Sequence, residues 1–296
     1  MGIRLQIKCI VTLMILLSSG YPVFAKTSDT PQLLINAESL KEKLQLSEVV
    51  IVDVRRLADY ESGHLENAVS IPIETLFSSG SRRDLVITLN EARNIFSNAG
   101  IDQQTEVIIY DNGSFIDAAR AFWVLELYGL KRLMLLDGGF PSWVKRNYLV
   151  TKIAPVVKPK QFIPTVVPGR LSTKLTVQMA VNQSNATIID ARPAIEYTGK
   201  KIKFSRGGHI PNAINIPAVS NYKINEGETR LWNDERLNHL YSSIDQDKNV
   251  IVYCNKGKES ALSYFVLRKL GFNVSAYDGS WYEWGNDPNL PIVNDE

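Results

Sequence analysis

The chain has 296 residues, of which 45% are hydrophobic and 22% charged, and carries a formal net charge of +2. That length suggests about two globular domains. So small a charge argues against a nucleic-acid or acidic-membrane partner.

Residues 1–25 read as a secretory signal peptide. Arg4 and Lys8 form a basic start, residues 10–17 an apolar core too short to span a bilayer as a permanent helix, and Val23-Phe24-Ala25 a small-residue cleavage site before Lys26. The expectation is a periplasmic or secreted protein with no stable membrane association. Cys9 would leave with the signal, so the mature chain keeps one thiol, Cys254, and can form no internal disulfide. In an oxidising compartment an unpaired cysteine is a liability unless it is used.

From Leu33 onward, apolar runs of strand length alternate with helical patterns. Ile35-Asn36-Ala37-Glu38-Ser39-Leu40 reads as a helix start leading to Leu44, and Val49-Val50-Ile51-Val52-Asp53-Val54 as a strand. Val107-Ile108-Ile109-Tyr110 is a second strand, followed by a helix through Ala118, Ala119, Phe122, Trp123, Leu125 and Leu127 that ends near Gly129. Leu133-Met134-Leu135-Leu136 is a third strand, closed by the turn Asp137-Gly138-Gly139. This alternation predicts an α/β domain over 33–150, a parallel sheet with helices on both faces. Residues 151–170 carry Pro155, Pro159, Pro164 and Pro168 and read as an extended linker.

Residues 171–294 repeat the first domain. Ile188-Ile189-Asp190-Ala191-Arg192 answers Val52-Asp53-Val54-Arg55. Gly208-His209-Ile210-Pro211-Asn212-Ala213 answers Gly63-His64-Leu65-Glu66-Asn67-Ala68. Val250-Ile251-Val252-Tyr253-Cys254 answers Val107-Ile108-Ile109-Tyr110-Asp111, and Tyr277-Asp278-Gly279-Ser280-Trp281 answers Leu136-Asp137-Gly138-Gly139-Phe140. Four matches in one order mark two copies of one α/β domain.

The copies differ at one chemically decisive place. Cys254 follows a buried strand and precedes a helix whose apolar residues Ala261, Leu262, Phe265, Val266 and Leu270 run up to Gly271. Asn255, Lys256, Gly257, Lys258 and Glu259 fill the gap. Unpaired helix amides and the helix dipole favour a thiolate there, and Lys256 and Lys258 add positive charge, so the thiol is expected to ionise below the free value of roughly 8.5. Gly257 allows the backbone to curl into an anion cradle. The plainer alternative is a small buried apolar residue at a strand end. The first copy has Asp111 instead, which cannot form a persulfide, and is expected to be inactive and to close one side of the second copy's pocket.

Arg192, at a strand's carboxyl end, is either a contact for an anionic donor or an ion pair holding a loop, for instance with Glu196. Lys203 and Arg206 lie in an insertion absent from the first copy, where a solvated basic loop is expected and a pocket rim is the alternative. His64 and His209 occupy equivalent turns in both copies and are expected to be structural. With His239 the only other histidine, no metal-ligand cluster can be assembled. Trp281 and Trp284 read as core or pocket wall.

On the paired Asp53…Gly63-His64 and Asp190…Gly208-His209 segments, the Cys254 loop and the closing Asp278-Gly279-Ser280-Trp281, the sequence resembles the two-domain rhodaneses, the thiosulfate/3-mercaptopyruvate sulfurtransferases, in an exported bacterial form. The resemblance covers nearly the whole mature chain. It implies two tandem rhodanese-like domains, the first inactive with Asp at the cysteine position, and a ping-pong reaction. The Cys254 thiolate takes the outer sulfur of a donor such as thiosulfate, sulfite leaves, and the resulting persulfide passes its sulfur to a thiophilic acceptor such as cyanide or a thiol. Asn255, Lys256, Gly257, Lys258, Glu259 and Arg192 would bind substrate, with no metal or organic cofactor and no partner beyond small molecules; a monomer is expected. Glu259 departs from the family, many of whose members carry Thr or Arg there, and a carboxylate repels thiosulfate unless a lysine offsets it. The Lys256 and Lys258 pair is nearer the thiosulfate type of loop than the mercaptopyruvate type, so thiosulfate is the expected donor and Lys256→Ala is expected to raise its KM. Phosphatases and arsenate reductases that share this fold need an arginine where this chain has Ser260. A non-enzymatic persulfide carrier that docks a partner through the cleft between domains is the remaining alternative.

Overall fold

The computed structural model describes residues 32–80, 82, 84–225 and 227–294; the signal read in residues 1–25 lies outside them. Val107–Tyr110 is buried at every position, and Asn249–Tyr253 at all but its first. Strands of this kind belong in the middle of a parallel sheet covered on both faces. In the first domain the order is Leu34–Ile35, Leu133–Leu136, Val107–Tyr110, Val50–Asp53 and Ala68–Ser70, all parallel. The second domain repeats it with Leu171–Ser172, Val274–Tyr277, Asn249–Tyr253, Ala186–Asp190 and Ala213–Asn215. Asp53 pairs with Tyr110 and Asp190 with Tyr253, so the duplication read in the sequence is preserved in register.

The same local device closes both strand ends. Arg55 donates to the Asp53 carboxylate and to the Gly63 carbonyl, while the Tyr110 hydroxyl donates to Asp53 at 2.5 Å. Arg192, Asp190, Gly208 and Tyr253 reproduce the set. His64 stacks on Tyr60 and His209 on Tyr197, each at 3.7 Å, and each places Nδ1 2.9 Å from that tyrosine's carbonyl. Both histidines are therefore parts of the turn, in the two copies alike.

Helices Ile116–Leu127 and Glu259–Lys269 are apolar around most of their circumference because they meet between the two sheets. Phe122 and Phe265 pack edge to face at 5.1 Å, and one apolar cluster runs from Ile109 through Phe122 and Phe265 to Val252. At the rim, Glu126 accepts two bonds from Arg268, at 2.7 and 3.0 Å, and one from the Tyr264 hydroxyl.

Some elements depart from the sequence reading. Leu34–Ile35 is an edge strand, and the helix begins at Ala37, capped by Asn36, whose Oδ1 accepts from the Ser39 amide at 2.8 Å. The proline-rich linker is extended but not free. The amides of Lys160, Thr165 and Val167 bond to the first domain, and Phe162 is fully buried in it. Helix Leu89–Asn98 and the hairpin of Tyr222–Asn225 with Glu228–Leu231 carried no sequence pattern that was read.

Candidate functional site

Cys254 leaves the strand Asn249–Tyr253 at its carboxyl end, five residues before helix Glu259–Lys269. The segment after the last strand holds it from behind. The Cys254 amide donates to Ser280 Oγ at 3.3 Å, and the Trp281 and Tyr282 amides donate to the carbonyls of Cys254 and Asn255, both at 3.0 Å. In the first copy the Phe140 amide meets the Asp111 carbonyl in the same way, at 2.9 Å. Gly257 adopts a φ of +74°, and a β-carbon there would stand 2.8 Å from Asp278 Oδ1 and 3.0 Å from Arg120 Nη1. Glycine is required at that corner by both conformation and space.

Cys254, itself fully buried, is one of the residues that line a cavity of about 130 Å³. Pro193, Pro217, Ala218 and Val219 supply apolar wall, and Arg192, Glu196, Lys203, Asn255 and Glu259 the polar groups. All of them belong to the second domain, so the first does not close the pocket as the sequence reading expected. It grips the loop from the far side instead. Arg120, fully buried in the first domain's helix Ile116–Leu127, donates through Nη1 to Asp278 Oδ1 at 2.6 Å and to the Gly257 carbonyl at 3.2 Å. Asp278 also accepts from the Val86 amide at 2.6 Å. Arg120 was missed in the sequence, although a charged residue inside the run Ala118-Ala119-Arg120-Ala121-Phe122-Trp123 is an available signal, because a buried charge needs a specific partner.

The electrostatic expectation for the thiol is reversed. Burial, then the Glu259 carboxylate, push the Cys254 thiol up to about 11, against an opposing pull from the Ser260 hydroxyl and amide. The thiol donates to Glu259 Oε2 at 3.1 Å. Neither lysine of the loop points at the sulfur. Lys258 reaches across to Asp117 of the first domain at 2.8 Å, and the Lys256 ammonium lies over the Tyr282 ring, 4.5 Å from its centroid. Arg192 is spent on Asp190 rather than on Glu196, although its side chain borders the cavity. Glu196 accepts from Asn255 Nδ2 at 2.8 Å and has Lys203 at 3.9 Å. Lys203 thus rims the pocket. Arg206 is clamped onto the carbonyls of Trp284, Gly285, Asp287 and Leu290, not solvated. Trp281 packs under the Arg192 guanidinium at 4.4 Å.

The first copy shows what the loop does with a fixed carboxyl group. Asp111 is buried, and its carboxylate accepts from the amides of Gly113, Phe115 and Ala118, at 2.7, 3.4 and 3.3 Å, and from the Ser114 hydroxyl at 3.0 Å. The turn between strand and helix is thus a receptacle lined with amide donors, filled in that copy by its own side chain, whose carboxyl is pushed up by burial against the pull of those bonds.

A model of the rhodanese-like domain matches residues 36–146 and again residues 174–287. The chain belongs to the rhodanese-like family. Rhodanese-like relatives align along nearly the whole chain. The 3-mercaptopyruvate sulfurtransferase of Escherichia coli K12 is 29% identical over 273 residues, covering 87% of this chain and 96% of the relative. A putative thiosulfate sulfurtransferase of Mycobacterium bovis is 32% identical over 274 residues, covering 88% and 96%. The crystal structure of SseA, a 3-mercaptopyruvate sulfotransferase of Escherichia coli, superposes with a TM-score of 0.75 at 27% identity, covering 85% of this chain and 99% of that one.

Among the described residues no helix is long and apolar enough to cross a membrane, and no group of three or more metal-binding side chains is present.

Two results follow for this rhodanese-like site. With its ammonium on Tyr282 and outside the cavity wall, Lys256 can be replaced by alanine with a change in thiosulfate KM within about twofold, measured by steady-state kinetics. A raised thiol pKa keeps the proton on sulfur at neutral pH, so the reactive thiolate grows only as pH climbs. Alkylation of Cys254 by iodoacetamide is therefore expected to be slow at pH 7 and to rise about tenfold per pH unit up to about 11. A plateau near the free-cysteine value of roughly 8.5 would contradict this.

Proposed function

We propose that the protein is a sulfurtransferase that moves a sulfane sulfur from thiosulfate or 3-mercaptopyruvate to a thiophilic acceptor, through a persulfide on Cys254. The observation that carries this reading is the placement of Cys254 among the residues that line a small cavity, with its thiol beside a carboxylate that can take its proton. A nucleophile can be activated by an adjacent base as well as by a lowered pKa. The cavity has room for a small donor. The preference for thiosulfate rested on Lys256 and Lys258, and with both side chains directed elsewhere that ground is gone; the donor class stays at the two small anions. The basic start, short apolar core and cleavage site in residues 1–25 support placing the enzyme in the periplasm or outside the cell.

Intact mass measurement after incubation with thiosulfate and, separately, with 3-mercaptopyruvate tests this. The expected result is the gain of one sulfur atom on Cys254, with release of sulfite from thiosulfate or of pyruvate from 3-mercaptopyruvate, and removal of that sulfur again by cyanide as thiocyanate. A protein that gains no sulfur from either donor is not a small-molecule sulfurtransferase. One that loads but does not turn over acts as a carrier.

A further inference from the structure

Glu259 has an arrangement that the loop's role as an anion cradle does not explain. It is the first residue of helix Glu259–Lys269, it lines the cavity, and its Oε2 accepts the hydrogen bond of the Cys254 thiol at 3.1 Å. The cations nearby are engaged elsewhere, all but Lys256 by another carboxylate. Lys258 is held by Asp117, Arg192 by Asp190, Arg120 by Asp278, and Lys203 stands by Glu196. Lys256 lies over Tyr282. Among the described residues Glu259 Oε2 is thus left to the sulfur, and thiol and carboxylate share one hydrogen bond beside the cavity that would hold a donor.

The geometry points to Glu259 as the proton-transfer residue of the sulfur-loading step, an inference that rests on the sulfurtransferase reading above. As a lone pair of Sγ attacks the outer sulfur of the donor, the new S–S bond forms and the donor's S–S or S–C bond breaks, its electron pair leaving on sulfite or on the enolate of pyruvate. The Sγ proton passes to Glu259 Oε2 and from there to the leaving group, which departs as bisulfite or pyruvate, and the sulfur remains as a persulfide anion. Atoms and charge balance with no oxidant or reductant. A carboxylate in this place serves a thiol that is not ionised at rest, and hands the proton back where the departing charge appears.

The test is Glu259→Gln, which keeps shape and removes the proton acceptor. Two rates are read at pH 7 by mass spectrometry: alkylation of Cys254 by iodoacetamide, and sulfur loading in a single turnover by whichever donor loads the wild type. Removing the carboxylate charge lets the thiol ionise more readily, so alkylation is expected to rise severalfold. Loading is expected to fall at least about tenfold, and its pH profile to change from a plateau around neutrality to a steady rise with pH. The charged groups that share the cavity with the pair, Glu196, Lys203 and Arg192 with its partner Asp190, are unchanged in the variant, so the change in profile belongs to residue 259. Loading that is unchanged or faster, or that falls together with alkylation, overturns the assignment. Failure of the wild type to load either donor is a different result and overturns the sulfurtransferase reading on which this rests.

Discussion

Cys254→Ser is expected to lower sulfur transfer by more than about 10³-fold, to the background of the uncatalysed reaction. The serine hydroxyl is a poor nucleophile at neutral pH and cannot carry a persulfide, so both halves of the ping-pong cycle fail together. The fold is expected to survive, because the smaller oxygen can still donate to Glu259 Oε2 and the Ser280 and Trp281 contacts that hold the loop use only the backbone of residue 254. Thiocyanate formation and the melting temperature should therefore part company, the first lost and the second nearly unchanged. Residual turnover within tenfold of the wild type would place the chemistry elsewhere in the chain.

The second large effect is expected far from the cavity wall. Arg120→Met should cost about 3–5 kcal/mol of stability, because it removes one member of a buried ion pair and leaves Asp278 charged and uncompensated. The guanidinium also packs on Trp123, at 4.4 Å, and near Phe77, at 4.8 Å, and methionine refills part of that volume. The Gly257 carbonyl loses its donor at the same time, and sulfur transfer is expected to fall by about 10–100-fold through a misplaced loop. Pairing the change with Asp278→Asn removes both charges, so the double variant should denature at higher urea concentration than Arg120→Met alone. Equal midpoints would show that the pair is not what holds the corner.

Much of the fold was open to reading from the residues. The strands announced themselves as short apolar runs, and the duplication could be traced because Asp53 and Asp190 and the two Gly-His turns recur in order. The place of Cys254 at the end of a central strand followed from that duplication, since the first copy marks the same place with Asp111. The charge state of the sulfur did not follow. Its sign depends on the direction in which Glu259 turns and on how deeply the thiol is enclosed, and spacing along the chain fixes neither. The lysines misled for a related reason. Their four-carbon stems carry the ammonium well away from the backbone that sequence locates, to Asp117 in one case and Tyr282 in the other. The members of the pocket's polar wall were named from the sequence, but their pairing was not: Asn255 and Glu196 meet only through folding across 59 positions.

Because Arg120, Asp117 and Glu126 all project from one helix of the first domain onto the loop and helix that carry Cys254, the two halves of the chain are not interchangeable modules. A chimera that joined residues 171–294 to the front half of another tandem protein would import an unmatched surface and strand Asp278, Lys258 and Arg268 without their counter-charges. The half that carries Asp111 at the Cys254 position acts on its twin as a scaffold, through charges that only this pairing satisfies.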